Sequence, residues 1–271
     1  MTVDNVVQPT IDFSRLGFQG GRIVVVGGHG GIGAAICQRA RESGGEVVSL
    51  DTQAAIDQRG PLPGVTSLPV DVLDPDSVAR CATRVNAMYE KLDGLVYVSG
   101  IGHAPSNLDT VSLDQWDLIH GVNLRGAFVV SKAFLPMVKP AKGSMIMVAS
   151  TNALTTPPGQ AAYSASKAGL VALAKAMARE CAPDIRVNIV SPGITITPFM
   201  VGGSGKPGAD RPMSASAWFG EEAARKRLDS ILLGRFAEPD DIVAPILFLL
   251  GPGARYITGQ TIHVNGGIYL P

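Results

Sequence analysis

Short runs of consecutive apolar residues alternate with longer stretches of helical periodicity along most of this chain. Ile23-Val24-Val25-Val26, Val47-Val48-Ser49-Leu50 and Met145-Ile146-Met147-Val148 carry almost no polar residue. A strand with one face in water alternates apolar and polar positions. Runs like these instead predict strands covered on both faces, as in a parallel sheet. The pattern gives strands at 22–26, 46–50, 65–70, 94–98, 144–149, 185–190 and 261–264, and helices at 31–43, 75–91, 112–138, 160–181 and 239–250. Asp74-Pro75-Asp76-Ser77 and Glu238-Pro239-Asp240-Asp241 place proline and acids at two helix starts, where a missing N–H costs nothing and the dipole favours negative charge. Strand–helix alternation of this kind predicts an α/β fold, a seven-stranded parallel sheet with helices on both faces.

No internal repeat or low-complexity tract interrupts the alternation, and residues 20–271 read as one catalytic domain behind an N-terminal extension, 1–19. One segment departs from it. From Pro198 to Ala217 the chain is too rich in glycine and proline for a core element, and long loops in compact domains commonly act as lids. A lid-like insertion is expected over about 198–229, with Trp218 and Phe219 as its apolar anchors.

The first strand runs directly into Gly27-Gly28-His29-Gly30-Gly31-Ile32-Gly33 and then into a helical pattern. Glycines in a strand–turn–helix context let the backbone approach a pyrophosphate, whose charge the helix N-terminus favours. The second strand ends on Asp51, eighteen residues past Gly33, where a ribose diol is expected. Together these features predict a Rossmann-like, doubly wound sheet with a dinucleotide site.

Tyr163 and Lys167 stand four residues apart on a predicted helix, so they share a face, and Ser150 precedes the tyrosine by thirteen residues. A free phenol titrates near ~10, and a neighbouring ammonium favours the phenolate and lowers that value. A tyrosine so tuned is a general acid/base, and a serine hydroxyl converging on it holds the oxygen whose proton moves.

These motifs resemble those of the short-chain dehydrogenase/reductase family, of the shorter single-domain type, over roughly residues 20–267. Val26-Gly27 through Gly33 is similar to its Thr-Gly-xxx-Gly-x-Gly loop, with valine for threonine; within it Gly27, His29, Gly31, Ile32 and Gly33 are the implied cofactor contacts. The resemblance implies adenine contacts at Asp71-Val72 and further cofactor contacts at Ser99 and Gly100. It implies a segment closing over the nicotinamide at Ser191-Pro192-Gly193, Thr195 and Thr197. Asn123 matches the asparagine that organises a water-linked proton relay, and Ser150, Tyr163 and Lys167 match the catalytic serine, tyrosine and lysine; Tyr163 and Lys167 also meet the nicotinamide ribose. Ile257-Thr258-Gly259-Gln260 and Val264-Asn265-Gly266-Gly267 match the C-terminal signature. The family usually carries Asn-Asn-Ala-Gly after its fourth strand, and this chain has Tyr97-Val98-Ser99-Gly100, so a strand-stabilising amide is expected to be missing at Val98.

The implied reaction is reversible hydride transfer between a secondary alcohol or ketone and a nicotinamide dinucleotide. Two positions point to NAD rather than NADP. Asp51 would face a 2′-phosphate with like charge, and Gly30 replaces the cation that NADP-using members often carry there. Thr52, Gln53, Ala54 and Ala55 add no cation, so NAD is expected to be preferred by at least ~10-fold. Ala153, Leu154, Thr155 and Thr156 around the expected pocket favour a neutral, fairly apolar small molecule. A silent NAD(H)-binding sensor or scaffold is the alternative, and Ser150, Tyr163 and Lys167 together argue against it. A methyltransferase needs no such pair, and enoyl reductases of this superfamily space their tyrosine and lysine more widely.

With 17% charged residues and zero formal net charge, the chain offers no electrostatic case for nucleic acid or an anionic membrane. No apolar run approaches a ~20-residue span. Residues 1–20 lack a basic start followed by an apolar core, so a cytoplasmic protein is expected. Cys37, Cys81 and Cys181 read as buried small hydrophobes, and the four histidines have no metal-ligand spacing, so no metal site is expected. Helices 112–138 and 160–181 are long and Ala-rich, and the family generally pairs such helices into homotetramers, with Tyr269-Leu270-Pro271 near a second interface.

Overall fold

The computed structural model describes residues 18–103, 105–201 and 214–271. Seven parallel strands, β1 (Arg22–Val26), β2 (Glu46–Asp51), β3 (Thr66–Pro69), β4 (Gly94–Tyr97), β5 (Ser144–Val148), β6 (Arg186–Pro192) and β7 (Thr261–Val264), form one sheet in the order β3-β2-β1-β4-β5-β6-β7. The order reverses between β1 and β4, and this switch point fixes where a ligand crevice opens.

Successive side chains of a strand point to opposite faces, and both faces are covered here. Val24, Val26, Leu95, Tyr97, Met145 and Met147 pack on one side against α3 (Pro75–Met88), α5 (Gly126–Val138) and α7 (Ala161–Cys181). Ile23, Val25, Val96, Ile146 and Val148 pack on the other against α1 (Gly31–Glu42) and α10 (Pro239–Leu250). Each large side chain so buried contributes about 1.5–3 kcal/mol. This two-sided demand is why the strand runs carry no polar alternation. Phe18, at the end of the expected extension, is itself buried beside Gly45 in the second layer; residues 1–17 lie outside the described residues.

Between the helices Asp74 and Glu238 act as predicted: Asp74 caps α3 through the Asp76 N–H, and Glu238 and Asp241 form a capping box on α10. Arg235 adds a two-pronged bond to Asp241, at 2.6 and 2.7 Å.

Four local readings differ. The helix expected over 112–138 is broken into α4 (Leu113–His120), a π turn at Gly121–Arg125, and α5. Tyr97 Oη donates to the Val122 carbonyl at 2.6 Å, and a side chain at Gly126 would lie 2.7 Å from that oxygen, so the wider turn fits around the phenol. A further helix, α2 (Gln53–Arg59), follows β2; it buries only Ala55 and so leaves no apolar period, but Thr52 caps it. A one-turn helix, α6 (Asn152–Thr155), follows β5. In the insertion, residues 202–213, most of the expected loop, lie outside the described residues, and α8 (Ala215–Phe219) and α9 (Glu221–Asp229) form its C-terminal part. The Phe219 ring packs 6.4 Å from Phe236 and under the Arg227 guanidinium at 4.3 Å, as an anchor would; the Trp218 side chain lies outside the described residues.

The C-terminal signature braces β6. Asn188 Nδ2 donates to the Ile257 carbonyl, its Oδ1 accepts from the Gln260 N–H, and Gly259 N–H bonds Val187. Asn265 holds the last turn through Gly267 and Tyr269.

Candidate active site

The glycine loop leaves β1 at the switch point. Gly27 has φ +87°, and a side chain there would strike the Ser99 backbone at 2.6 Å, so this loop and the segment after β4 touch. Gly33 faces inward, against the Gly27 carbonyl, whereas a side chain at Gly31 would meet Thr197 at 2.7 Å. The N-cap of α1, Gly30, makes no side-chain cap bond, and no acid occupies the first turn. That helix start therefore presents amides and positive dipole without a competing carboxylate, which suits a pyrophosphate.

Asp51 ends β2 and ties the loop down. Its Oδ2 accepts the His29 N–H at 2.8 Å and its Oδ1 accepts the Thr52 N–H at 2.8 Å. Burial pushes this carboxyl up, and the two amides pull it back. His29, expected to approach the cofactor, turns its ring away from the crevice. The ring is fully buried, with Nδ1 2.9 Å from Ser49 Oγ and Nε2 3.3 Å from Ser67 Oγ, and burial lowers its pKa. Its main chain is engaged as well, the carbonyl accepting from Arg59 Nε at 2.7 Å. Ile32 is half-buried on α1. Asp71 is exposed, with Oδ1 accepting the Leu73 N–H, and Val72 is buried beside it.

Ser150 follows β5, and Tyr163 and Lys167 lie in the first turns of α7. Both α7 residues are nearly inaccessible, at 8% and 3% exposure. The Ser150 hydroxyl lies beside the Tyr163 phenol, and the Lys167 ammonium lies 5.9 Å from the Tyr163 ring centre. A side chain at Gly100 would come within 3.1 Å of Lys167 Nζ and 3.4 Å of Asn123 Oδ1, so the four residues converge where β4 ends. Asn123, in the π turn, accepts from the Ile101 N–H at 2.8 Å and donates to the Ile101 carbonyl and to Ser166 Oγ, both at 3.0 Å. It clamps the segment after β4 to α7. π turns recur at functional sites because they aim one residue out of helical register.

One electrostatic expectation is corrected. Lys167 does not hold the Tyr163 phenol low in this state: burial pushes it up to about 12, with the Ser150 bond pulling it back. Lys167 is itself pushed down to about 8 by burial, and its Nζ donates to the Val148 carbonyl at 3.0 Å. Desolvation is the largest influence on both groups. The phenol therefore keeps its proton at neutral pH in this state.

Pro192 ends β6, where its carbonyl accepts from the Thr151 N–H and hydroxyl at 2.9 Å. Gly193 lies against Asn265, Thr195 bridges Ala237, and Thr197 packs on the glycine loop. Val98, where an amide was expected, packs among apolar neighbours of the second layer while its N–H and that of Ser99 bond Val26. Sequence reasoning did not single out Tyr97, which props the π turn, or Phe199, whose ring lies 5.7 Å from that of Tyr163. Tyr97 was signalled by a phenol standing where the family carries asparagine.

A doubly wound parallel sheet with a bare helix start at its switch point and a serine–tyrosine–lysine cluster beside it defines a dinucleotide-dependent oxidoreductase. A family model described as enoyl-(acyl carrier protein) reductase matches residues 26–269. The chain is 31% identical over 255 residues to the 3-oxoacyl-[acyl-carrier-protein] reductase FabG of Thermotoga maritima, covering 91% of this chain and 97% of that one. Among solved structures it resembles a short-chain dehydrogenase/reductase of Brucella melitensis named glucose/ribitol dehydrogenase, with TM-score 0.80, 29% identity, and coverage of 92% and 97%. It also resembles 3-ketoacyl-(acyl-carrier-protein) reductase from Brucella melitensis complexed with NADH, with TM-score 0.77, 28% identity, and coverage of 92% and 98%. The chain belongs to the short-chain dehydrogenase/reductase family.

Proposed function

We propose that the protein interconverts a ketone and a secondary alcohol with NAD(H), and that its substrate class is a 3-oxoacyl thioester. The convergence of Ser150, Tyr163, Lys167 and Asn123 beside the glycine loop carries this reading. The relatives' names support the 3-oxoacyl group, and the apolar Phe199 beside Tyr163 suits the neutral carbons next to it. A Tyr–Lys spacing of four residues favours carbonyl over enoyl reduction.

Gly27, Gly31 and Ile32 with the start of α1 would hold the pyrophosphate, Gly33 giving the close packing beneath. Asp51 would hold the adenosine ribose, and Asp71 and Val72 the adenine. Ser99, Gly100, Pro192, Gly193, Thr195 and Thr197 would line the nicotinamide half. A bound nicotinamide dinucleotide supplies the hydride for the carbonyl carbon. Tyr163 gives its proton to the carbonyl oxygen, and Ser150 donates a hydrogen bond to the same oxygen. Lys167 keeps a positive charge beside the phenolate that forms, and Asn123 fixes the loop after β4 against α7. Held orientation and a placed acid each lower the barrier, the acid step by ~10²–10⁴-fold.

The test follows NADH absorbance with acetoacetyl and crotonyl thioesters. Consumption with the first and not the second is expected. Tight NADH binding without turnover of any ketone would instead establish the sensor reading.

A homotetramer is part of the proposal. Phe128 on α5 is half exposed at 50%, beside an apolar hollow formed with His120, Leu124 and Leu173, and the edge strand β7 leads to the exposed Leu270. Sedimentation at micromolar concentration is expected to give four subunits; a single-subunit mass would exclude the pairing of these faces.

A further inference from the structure

We propose that Arg59 is a specificity-determining residue of the adenosine ribose site, a cation brought in by α2 that sets how strongly Asp51 rejects a 2′-phosphate. The inference rests on the reading of this crevice as a dinucleotide site. The four residues after Asp51 carry no positive charge, and the sequence alone leaves the carboxylate unopposed. The fold changes that balance. Arg59, the last residue of α2, reaches back across the chain, and its Nε donates to the His29 carbonyl at 2.7 Å. The N–H of the same residue is bound to Asp51 Oδ2 at 2.8 Å. Anion and cation thus grip the two main-chain groups of one glycine-loop residue.

The grip is firm because the residue between them is fixed. The His29 ring is fully buried between the Ser49 and Ser67 hydroxyls. A basic residue in a last helical turn commonly serves only that helix's own dipole. Arg59 instead bonds a carbonyl of another segment while the residue stays exposed. Asp51 and Arg59 lie close enough for each to stabilise the other's charge. With Nε engaged, the guanidinium keeps its four terminal N–H donors, a fork suited to phosphate oxygens.

The consequence is a ribose site with one negative and one positive charge in place of a lone carboxylate. Asp51 still accepts from a ribose diol, which favours NAD. A 2′-phosphate meets repulsion from Asp51 and attraction from Arg59 together, so its rejection is weaker than Asp51 alone would impose. Removing Arg59 should sharpen the preference for NAD, and removing the Asp51 charge should reverse it only while Arg59 remains.

Calorimetric titration with 5′-AMP and with adenosine 2′,5′-bisphosphate isolates the 2′-phosphate from turnover. Arg59→Gln retains a donor for His29 without the charge, and Arg59→Ala removes both. Each should weaken the bisphosphate by ~10-fold, one partly screened charge pair, and leave AMP within about twofold. Asp51→Asn should tighten the bisphosphate, and Asp51→Asn with Arg59→Gln should lose that gain. Equal weakening of both nucleotides, or no change in either, would show that Arg59 only braces the loop and would overturn the proposal. If the wild type binds neither nucleotide, the dinucleotide reading of the crevice falls and takes this inference with it.

Discussion

Tyr163→Phe is expected to lower turnover by ~10²–10⁴-fold while dinucleotide affinity stays within about twofold of the wild type. The substitution keeps the ring, its position in the buried face of α7 and its contact with Phe199 at 5.7 Å. It removes only the oxygen that the Ser150 hydroxyl meets. Ser150 is half-buried and retains the Asn152 N–H as a partner, so the loss strands no fully buried polar group. Since burial holds the phenol near 12, the protonated form that the reduction needs prevails at neutral pH in the wild type. Around the phenol, Lys167 donates to the Val148 carbonyl and Asn123 bonds Ile101 and Ser166. Lys167→Met should differ in kind, lowering both turnover and affinity, because its ammonium is also expected at the nicotinamide ribose. Single-turnover kinetics with NADH and a ketone, beside titration of NADH alone, separate the two effects. A Tyr163→Phe variant with half the wild-type kcat would assign the proton donor elsewhere.

The strands were legible because both faces of this sheet are dry. After Arg22 and Ser144, β1 and β5 are apolar at four consecutive positions, and a run of four such residues before a turn admits few other readings. The starts of α3 and α10 were legible from the proline and acids that cap them. What escaped notice depends on contacts distant in sequence. The π turn leaves the apolar period of α4 and α5 nearly intact, since one added residue rotates the face without breaking it; its cause is Tyr97, on another element. α2 buries one residue and α9 only Ala224, so neither has a stripe to read.

The candidate site divides in the same way. Tyr163 and Lys167 share a helix face by spacing alone, and Asp51 follows from the end of its strand. Arg59 is eight residues further on, and only the return of α2 brings it to His29. The direction of the His29 ring was equally hidden, because it is set by hydroxyls on β2 and β3 rather than by its glycine neighbours.

The second large effect is expected at Gly33, where two forces oppose each other. Gly33 lies in the first turn of α1, and helix propensity alone favours alanine there by about 1 kcal/mol. Packing acts the other way. A methyl group at Gly33 would run into the Gly27 carbonyl oxygen and come within 2.8 Å of the Gly27 carbonyl carbon and 2.9 Å of Gly28 Cα. All three are backbone atoms, so no rotamer change relieves the clash and the loop must move. Gly27 cannot retreat, since the Ser99 backbone lies behind it. Gly33→Ala should therefore cost about 1–3 kcal/mol of stability, as overpacked interiors do, and shift the loop from its pyrophosphate geometry. A displacement near ~1 Å is enough for a loss of about 100-fold in function, and NADH affinity should fall by at least that order. Gly44→Ala supplies the contrast. Gly44 has φ +84° but nothing within 4 Å of an added methyl, so it should lose about 1–2 kcal/mol from backbone strain and bind NADH normally. Thermal unfolding and NADH titration on both variants distinguish strain from clash. Normal NADH affinity in Gly33→Ala would mean that the loop tolerates the shift and that the pyrophosphate is not held where α1 begins.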